Sequence, residues 1–178
     1  MRFPKTSSLT GSLVFLIAVS YLFQIIIPGY EERFLLNRFY VENGEYYRLL
    51  TVALVHGGLW HLGFNLMALH ALGTATENYY GRNKFAAILI ISLLSGSALS
   101  VYFNPSYVYS IGASGMIFGL FGALAMVGQR AGVEWRSIMV IVGLNFGIGF
   151  VLGGVDWRGH LGGLIGGTLA ALVLNRTK

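Results

Sequence analysis

Six apolar stretches set the terms on which this chain can fold: Leu9–Ile27, Leu49–Leu72, Phe85–Phe103, Ser114–Val127, Ser137–Gly153 and His160–Leu174. A helix crossing a bilayer takes roughly 20 apolar residues, so six spans and their joins use up nearly all of the 178 residues. No extramembrane domain of any size fits beside them. Only 11% of the residues are charged, against about 25% in a soluble domain, which excludes a soluble protein. Backbone polar groups in lipid must be satisfied within their own segment, so the stretches read as helices. The expectation is an all-α membrane protein: a compact six-transmembrane-helix bundle forming a single domain over residues 1–178.

Charge placement orients the bundle. With the N-terminus inside, the cytoplasmic pieces carry Arg2, Lys5, Arg82, Lys84, Arg130, Arg136, Arg176 and Lys178, and the outer pieces carry Arg33, Arg38, Arg48 and Arg158. That excess follows the positive-inside rule, so both termini are expected in the cytoplasm of a cell membrane. The net charge of +5 then reports topology and not nucleic-acid binding. Arg2 and Lys5 ahead of an apolar run also resemble a signal peptide. The run ends in Gln24-Ile25-Ile26-Ile27-Pro28 without a small-residue cleavage site, so it reads as a retained helix. The chain has no cysteine, which excludes disulfides, thiol catalysis and thiolate metal sites.

The outer connection from Pro28 to about Arg48 is the longest. It alternates Glu31, Glu32, Arg33, Arg38, Glu42 and Glu45 with Phe34, Phe39, Tyr40, Tyr46 and Tyr47. This pattern suits a structure lying in the membrane interface. The other joins are short, Gly81–Lys84 being little more than a turn, so neighbouring helices run antiparallel. The uncharged loop from Asn104 to Gly112 is expected to dip toward the bundle. Ser114–Val127 spans about 21 Å of helix against a hydrocarbon core of about 30 Å. Ser114 would therefore lie submerged, reached through glycine-rich backbone that is tolerated at depth only when buried in protein or lining a watery cavity.

Ser114 sits in Ile111-Gly112-Ala113-Ser114-Gly115, and His160 in Arg158-Gly159-His160-Leu161-Gly162-Gly163. An ionisable side chain at membrane depth is a functional candidate by default. Gly115, Gly119 and Gly122 share one helical neighbourhood, as do Gly159, Gly163 and Gly167, with Gly162 and Gly166 beside them. Ladders of small residues let membrane helices approach backbone to backbone. Taken alone they indicate packing. Here they start beside Ser114 and surround His160, so docking the two helices would bring a weak nucleophile to the base it needs. His61 and Asn65, at i and i+4, share a helical face. They are either interhelical glue or, with the Ser114 N–H, donors to an oxyanion.

Together these motifs resemble the rhomboid family of intramembrane serine proteases. The resemblance runs from about Tyr47 to Leu172 and rests on Gly112-Ala113-Ser114-Gly115, on Gly159-His160-Leu161-Gly162-Gly163 with Gly167, and on His61-Leu62-Gly63-Phe64-Asn65. It implies a six-helix fold with a Ser–His dyad in a hydrated cavity open to the outside. Ser114 would be the nucleophile and His160 the general base. His61 and Asn65, with the Ser114 N–H, would stabilise the oxyanion. Phe118 resembles the aromatic, often tyrosine, that packs on the imidazole, and Gly112, Gly115, Gly163 and Gly167 support the site. Tyr47-Arg48 resembles the family's Trp-Arg pair, His56 a structural histidine, and Glu77 an acid near the cytoplasmic end of the second helix. Asp156, four residues before His160, makes a triad conceivable. Read as a helical position, however, it points toward water, and the family works with a dyad.

Other chemistries fit less well. A metalloprotease needs His-Glu-x-x-His, and no histidine is followed by glutamate. An aspartyl protease needs two aspartates, and there is one. Paired haem ligands drawn from His56, His70 and His160 leave Gly-Ala-Ser-Gly unexplained. A small transporter would carry inverted repeats, and the halves of the chain show no similarity. An inactive relative that binds transmembrane helices would be expected to lose Ser114 or His160. The reading is a serine endopeptidase that cuts transmembrane segments of membrane-anchored proteins near the outer membrane boundary. Its expected partners are those substrates and the lipid bilayer, with no cofactor, metal or nucleic acid.

Overall fold

The computed structural model describes residues 8–131 and 155–175, with isolated residues at 134, 136 and 140. The fifth apolar segment, Ser137–Gly153, thus lies, but for Val140, outside the described residues. The helices are α1 (Leu9–Ile26), α2 (Tyr30–Phe34), α3 (Arg38–Glu42), α4 (Arg48–Thr51), α5 (Leu59–Tyr80), α6 (Arg82–Phe103), α7 (Ser114–Val127) and α8 (Trp157–Asn175). Short 3-10 turns follow α4 and α7. Among the described residues the only β pairing is an isolated antiparallel bridge between Leu36 and Ser110.

By length and composition α1 and α6 can each cross a membrane. The second apolar stretch departs from expectation. Arg48–Leu54 and Leu59–Tyr80 are bent from one another by 102°. The break falls at Val55–Gly58, where Gly58 takes a φ of 134° that a side chain would strain. The helix that does form runs on past Leu72 to Tyr80. There Gly81, at φ 77°, ends α5 and starts α6, so the expected four-residue turn shrinks to one residue.

α7 is the axis of the molecule, with Met116 to Leu124 all buried. α8 packs along both α6 and α7, and glycines make the approach possible. A Cβ on Gly162 would stand 2.5 Å from Ser95 O, and one on Gly96 would stand 2.8 Å from Gly159 O. On the other side, Gly163 and Gly167 lie directly on the backbone of Gly115 and Gly119. Backbone contact of this kind replaces the side-chain interdigitation of a soluble core.

α1 is fastened from outside itself. Glu77 of α5 accepts hydrogen bonds from Leu9 N (2.8 Å), Thr10 N (2.9 Å), Thr10 Oγ1 (2.7 Å) and Ser8 Oγ (2.9 Å). The carboxylate satisfies N–H groups that a helix start leaves open. At the other end, Gln24 of α1 clasps the main chain of His56. Its Nε2 donates to His56 O at 2.8 Å, and its Oε1 accepts from His56 N at 2.9 Å.

The connection between α1 and α4 folds onto Arg48. That guanidinium, 4% exposed, donates to Glu32 O and Leu35 O and pairs with Glu45 at 2.7 Å. It also lies 4.1 Å over the Tyr40 ring. The same connection holds the loop from Asn104 to Gly112. Leu36 and Ser110 exchange backbone hydrogen bonds at 2.9 and 2.8 Å, and Asn37 Nδ2 donates to Ser106 O and Val108 O. Arg38 donates to Val101 O at 2.7 Å and to Tyr102 O at the end of α6. The expected dip toward the bundle is confined to the ends of that loop: Asn104 and Ser110 are buried, whereas Pro105, Ser106, Tyr107 and Tyr109 between them are exposed.

Candidate functional site

Gly112 brings the chain to the head of α7. Its φ of 112° suits glycine alone, and its N–H donates to Val52 O at 2.9 Å. No side chain caps the first turn of α7. Its leading N–H groups therefore keep the partial positive charge of a helix start beside the Ser114 hydroxyl. Ser114 is half-buried.

The glycine contacts between α7 and α8 set the two first turns side by side. Ser114 Oγ and His160 Nε2 stand 2.8 Å apart, within hydrogen-bond distance. The imidazole is buried, and Phe118 stacks on it with ring centroids 4.2 Å apart and planes at 12°. A cavity of about 30 Å³ adjoins the pair, with Ser97, Ser100, Ser110, Ser114, Asp156 and His160 among its lining residues. That volume has room for a water molecule or two, and the hydroxyls give such water its partners.

His61 is half-buried, and its Nδ1 accepts the Gly57 N–H at 3.2 Å. An accepting Nδ1 leaves the proton of the neutral ring on Nε2. That nitrogen lies against Gly112, where a Cβ would stand 2.9 Å from it. Asn65 is buried one turn further along α5 and donates from Nδ2 to His61 O at 2.9 Å, so one amide N–H remains for another acceptor. His56 is fully buried, and its ring packs edge-on against His61 at 5.1 Å. Both of its ring nitrogens lack a hydrogen-bond partner among the described residues. In that setting it fills space and holds His61.

Asp156 does not point to water. It is the N-cap residue of α8, and its Oδ1 accepts from Gly159 N at 3.0 Å and Asn104 Nδ2 at 3.0 Å. Its Oδ2 accepts from Ser110 Oγ at 2.7 Å. Burial pushes this carboxyl up, but hydrogen bonds from Ser100, Asn104, Ser110 and the Gly159 N–H outweigh burial and hold it below its usual value. Sequence reasoning missed Ser100, Asn104 and Ser110 as parts of the site. The available signals were the helix-stop pair Asn104-Pro105 and an Asp placed as a helix cap. Among the described residues no group of three His, Asp or Glu side chains is gathered as a metal ion would require.

Fold and site together define a helical membrane protein whose central helix begins at a serine in contact with a histidine. The family model described as "Rhomboid domain" matches residues 43–177, and the chain belongs to the rhomboid family. The "Rhomboid protease GluP" of Bacillus subtilis (strain 168) is 41% identical over 143 residues, covering 78% of this chain and 28% of that protein. "RHOMBOID-like protein 5" of Arabidopsis thaliana is 33% identical over 156 residues, 83% of this chain and 50% of the relative. The "Putative rhomboid protease YdcA" of Bacillus subtilis (strain 168) is 35% identical over 144 residues, 78% of this chain and 72% of the relative. The chain therefore spans half or less of the length of the first two relatives. α1, α2 and α3 precede the family match.

Proposed function

We propose that this protein is an intramembrane serine endopeptidase that cuts transmembrane segments of membrane-anchored proteins near the outer boundary of the cell membrane. The observation that carries the reading is the 2.8 Å approach of Ser114 Oγ to His160 Nε2 at the half-buried head of α7. Residues 1–178 would form one six-span domain, with both termini cytoplasmic and the site open to the outside.

In this reading His160 Nε2 takes the Ser114 proton as Oγ attacks the scissile carbonyl. The negative charge that forms on the carbonyl oxygen is met by the Ser114 N–H, the His61 Nε2–H and the second Asn65 N–H. Donors of this kind lower the barrier by meeting the charge where it develops. Phe118 keeps the imidazole in plane while it carries the proton. His160 then hands that proton to the leaving amine, and the C–N bond breaks. Water then attacks the acyl-enzyme with His160 again as base, releasing the carboxylate and restoring Ser114. A peptide bond inside an intact helix is shielded, so helix-breaking small residues are expected at the cut site.

Ser114→Ala and His160→Ala should each abolish cleavage of a transmembrane reporter in vesicles, with expression and helicity unchanged. Retained cleavage in the serine variant would sink the mechanism.

A further inference from the structure

One half-buried carboxylate takes no part in the chemistry proposed above. An ionised carboxylate only accepts hydrogen bonds, so taking it out of water demands several donors. Asp156 receives them from three separate parts of the chain. Asn104 closes α6, Ser110 lies in the loop that leads to α7, and Gly159 is in the first turn of α8. The donors are themselves tied together. Ser100 Oγ lies 2.8 Å from Ser110 Oγ, Asn104 Nδ2 donates to Ser100 Oγ at 3.0 Å, and Arg158 Nη1 donates to Asn104 Oδ1 at 3.0 Å.

The spacing gives this knot a consequence. Ser110 lies four residues before Ser114, and Asp156 lies four residues before His160. The 2.7 Å bond from Ser110 Oγ to Asp156 Oδ2 joins the two approaches just before each enters its helix. Gly159 completes the fit, because a Cβ there would stand 2.7 Å from Asp156 Oδ2 and push the carboxylate away. Glycine contacts further along α7 and α8 fix how close the helices lie. Together with the Ser114–His160 approach itself, this bond ties one helix start to the other.

We infer that Asp156 is a positioning residue: it clamps the Ser114 loop to the first turn of α8, so that hydroxyl and imidazole are aligned before substrate arrives. The inference rests on the serine-protease reading above.

The test measures the rate at which a fluorophosphonate captures Ser114 in the full chain in detergent, well below each variant's melting midpoint. It is paired with kcat and KM on a transmembrane reporter. Asp156→Ala should slow capture roughly a hundredfold, the scale set by a misplacement of about 1 Å, with kcat falling and KM nearly unchanged. Asp156→Asn should recover most of the rate, because its amide oxygen still accepts from Gly159 N–H and the Ser110 hydroxyl can turn to meet the amide. Ser110→Ala should fall between the two. A folded Asp156→Ala protein captured at the wild-type rate would overturn the inference even if its melting midpoint dropped. If Asp156→Ala does not fold, wild-type rates in both Asp156→Asn and Ser110→Ala would do the same. Absence of capture in the wild type would overturn the protease reading, and the positioning role with it.

Discussion

At Gly112 two separate demands meet on one atom that is absent. The backbone there is left-handed at φ 112°, and a Cβ would stand 2.8 Å from His61 Cε1. Either demand alone favours glycine, since an unfavourable φ costs about 1–3 kcal/mol. Together they couple the approach to Ser114 with the ring whose Nε2 carries the proton. Gly112→Ala should therefore lower kcat on a transmembrane reporter about a hundredfold, by moving His61 away from the Ser114 loop. The protein should still insert and express, and a kcat within about threefold of wild type would show that this contact sets nothing. Ser114, His160, His61 and Asn65 stand out as polar groups in an apolar chain, whereas Phe118 is apolar and was singled out only by the family resemblance. The turn of Asp156 was not. A residue read at helical periodicity points outward, but a residue one step before the helix has non-helical backbone and folds its side chain back onto the first turn.

Among the elements, α1 is tied at both ends by side-chain hydrogen bonds, one set from Glu77 of α5 and one from its own Gln24. Its long exposed apolar face includes Phe15, Leu22, Ile25 and Ile26. Glu77 secures its first turn and Gln24 its last. Glu77→Ala leaves the Leu9 and Thr10 N–H groups without their acceptor, a loss of about 2 kcal/mol. The melting midpoint should fall by roughly 4–8 °C, with kcat well below that midpoint little changed. An unchanged midpoint would mean that α1 is secured by apolar contact alone. Apolar run length foretold α1, α6, α7 and α8 to within a few residues. The second run misled, because Val55-His56-Gly57-Gly58 interrupts the helix by backbone geometry without interrupting the hydropathy. While α4 fell at the head of the second run, the short helices α2 and α3 were invisible for another reason. They are stabilised by Arg48 and Asn37 reaching distant carbonyls, and no local pattern encodes such reach.

The whole molecule can be read as two ladders of contact meeting at one end of α7. Glycine on glycine brings α7 and α8 together along their length. Polar side chains at the Ser114 end of α7 join the connection from Leu36 to Arg38, the loop before Ser114 and the start of α8. Membership of the rhomboid family accounts for the chain from residue 43 onward. The anchoring of α1 by Glu77 and Gln24 extends the fold ahead of that match. Such an architecture holds a hydroxyl, an imidazole and room for a water or two inside a structure whose outer face is apolar. The proposed activation of Ser114 by His160 is open to intact-mass analysis of the purified full chain after fluorophosphonate treatment. A single adduct on Ser114 is expected, absent in Ser114→Ala and nearly absent in His160→Ala. An unmodified wild-type protein, or an adduct that survives in Ser114→Ala, would contradict it.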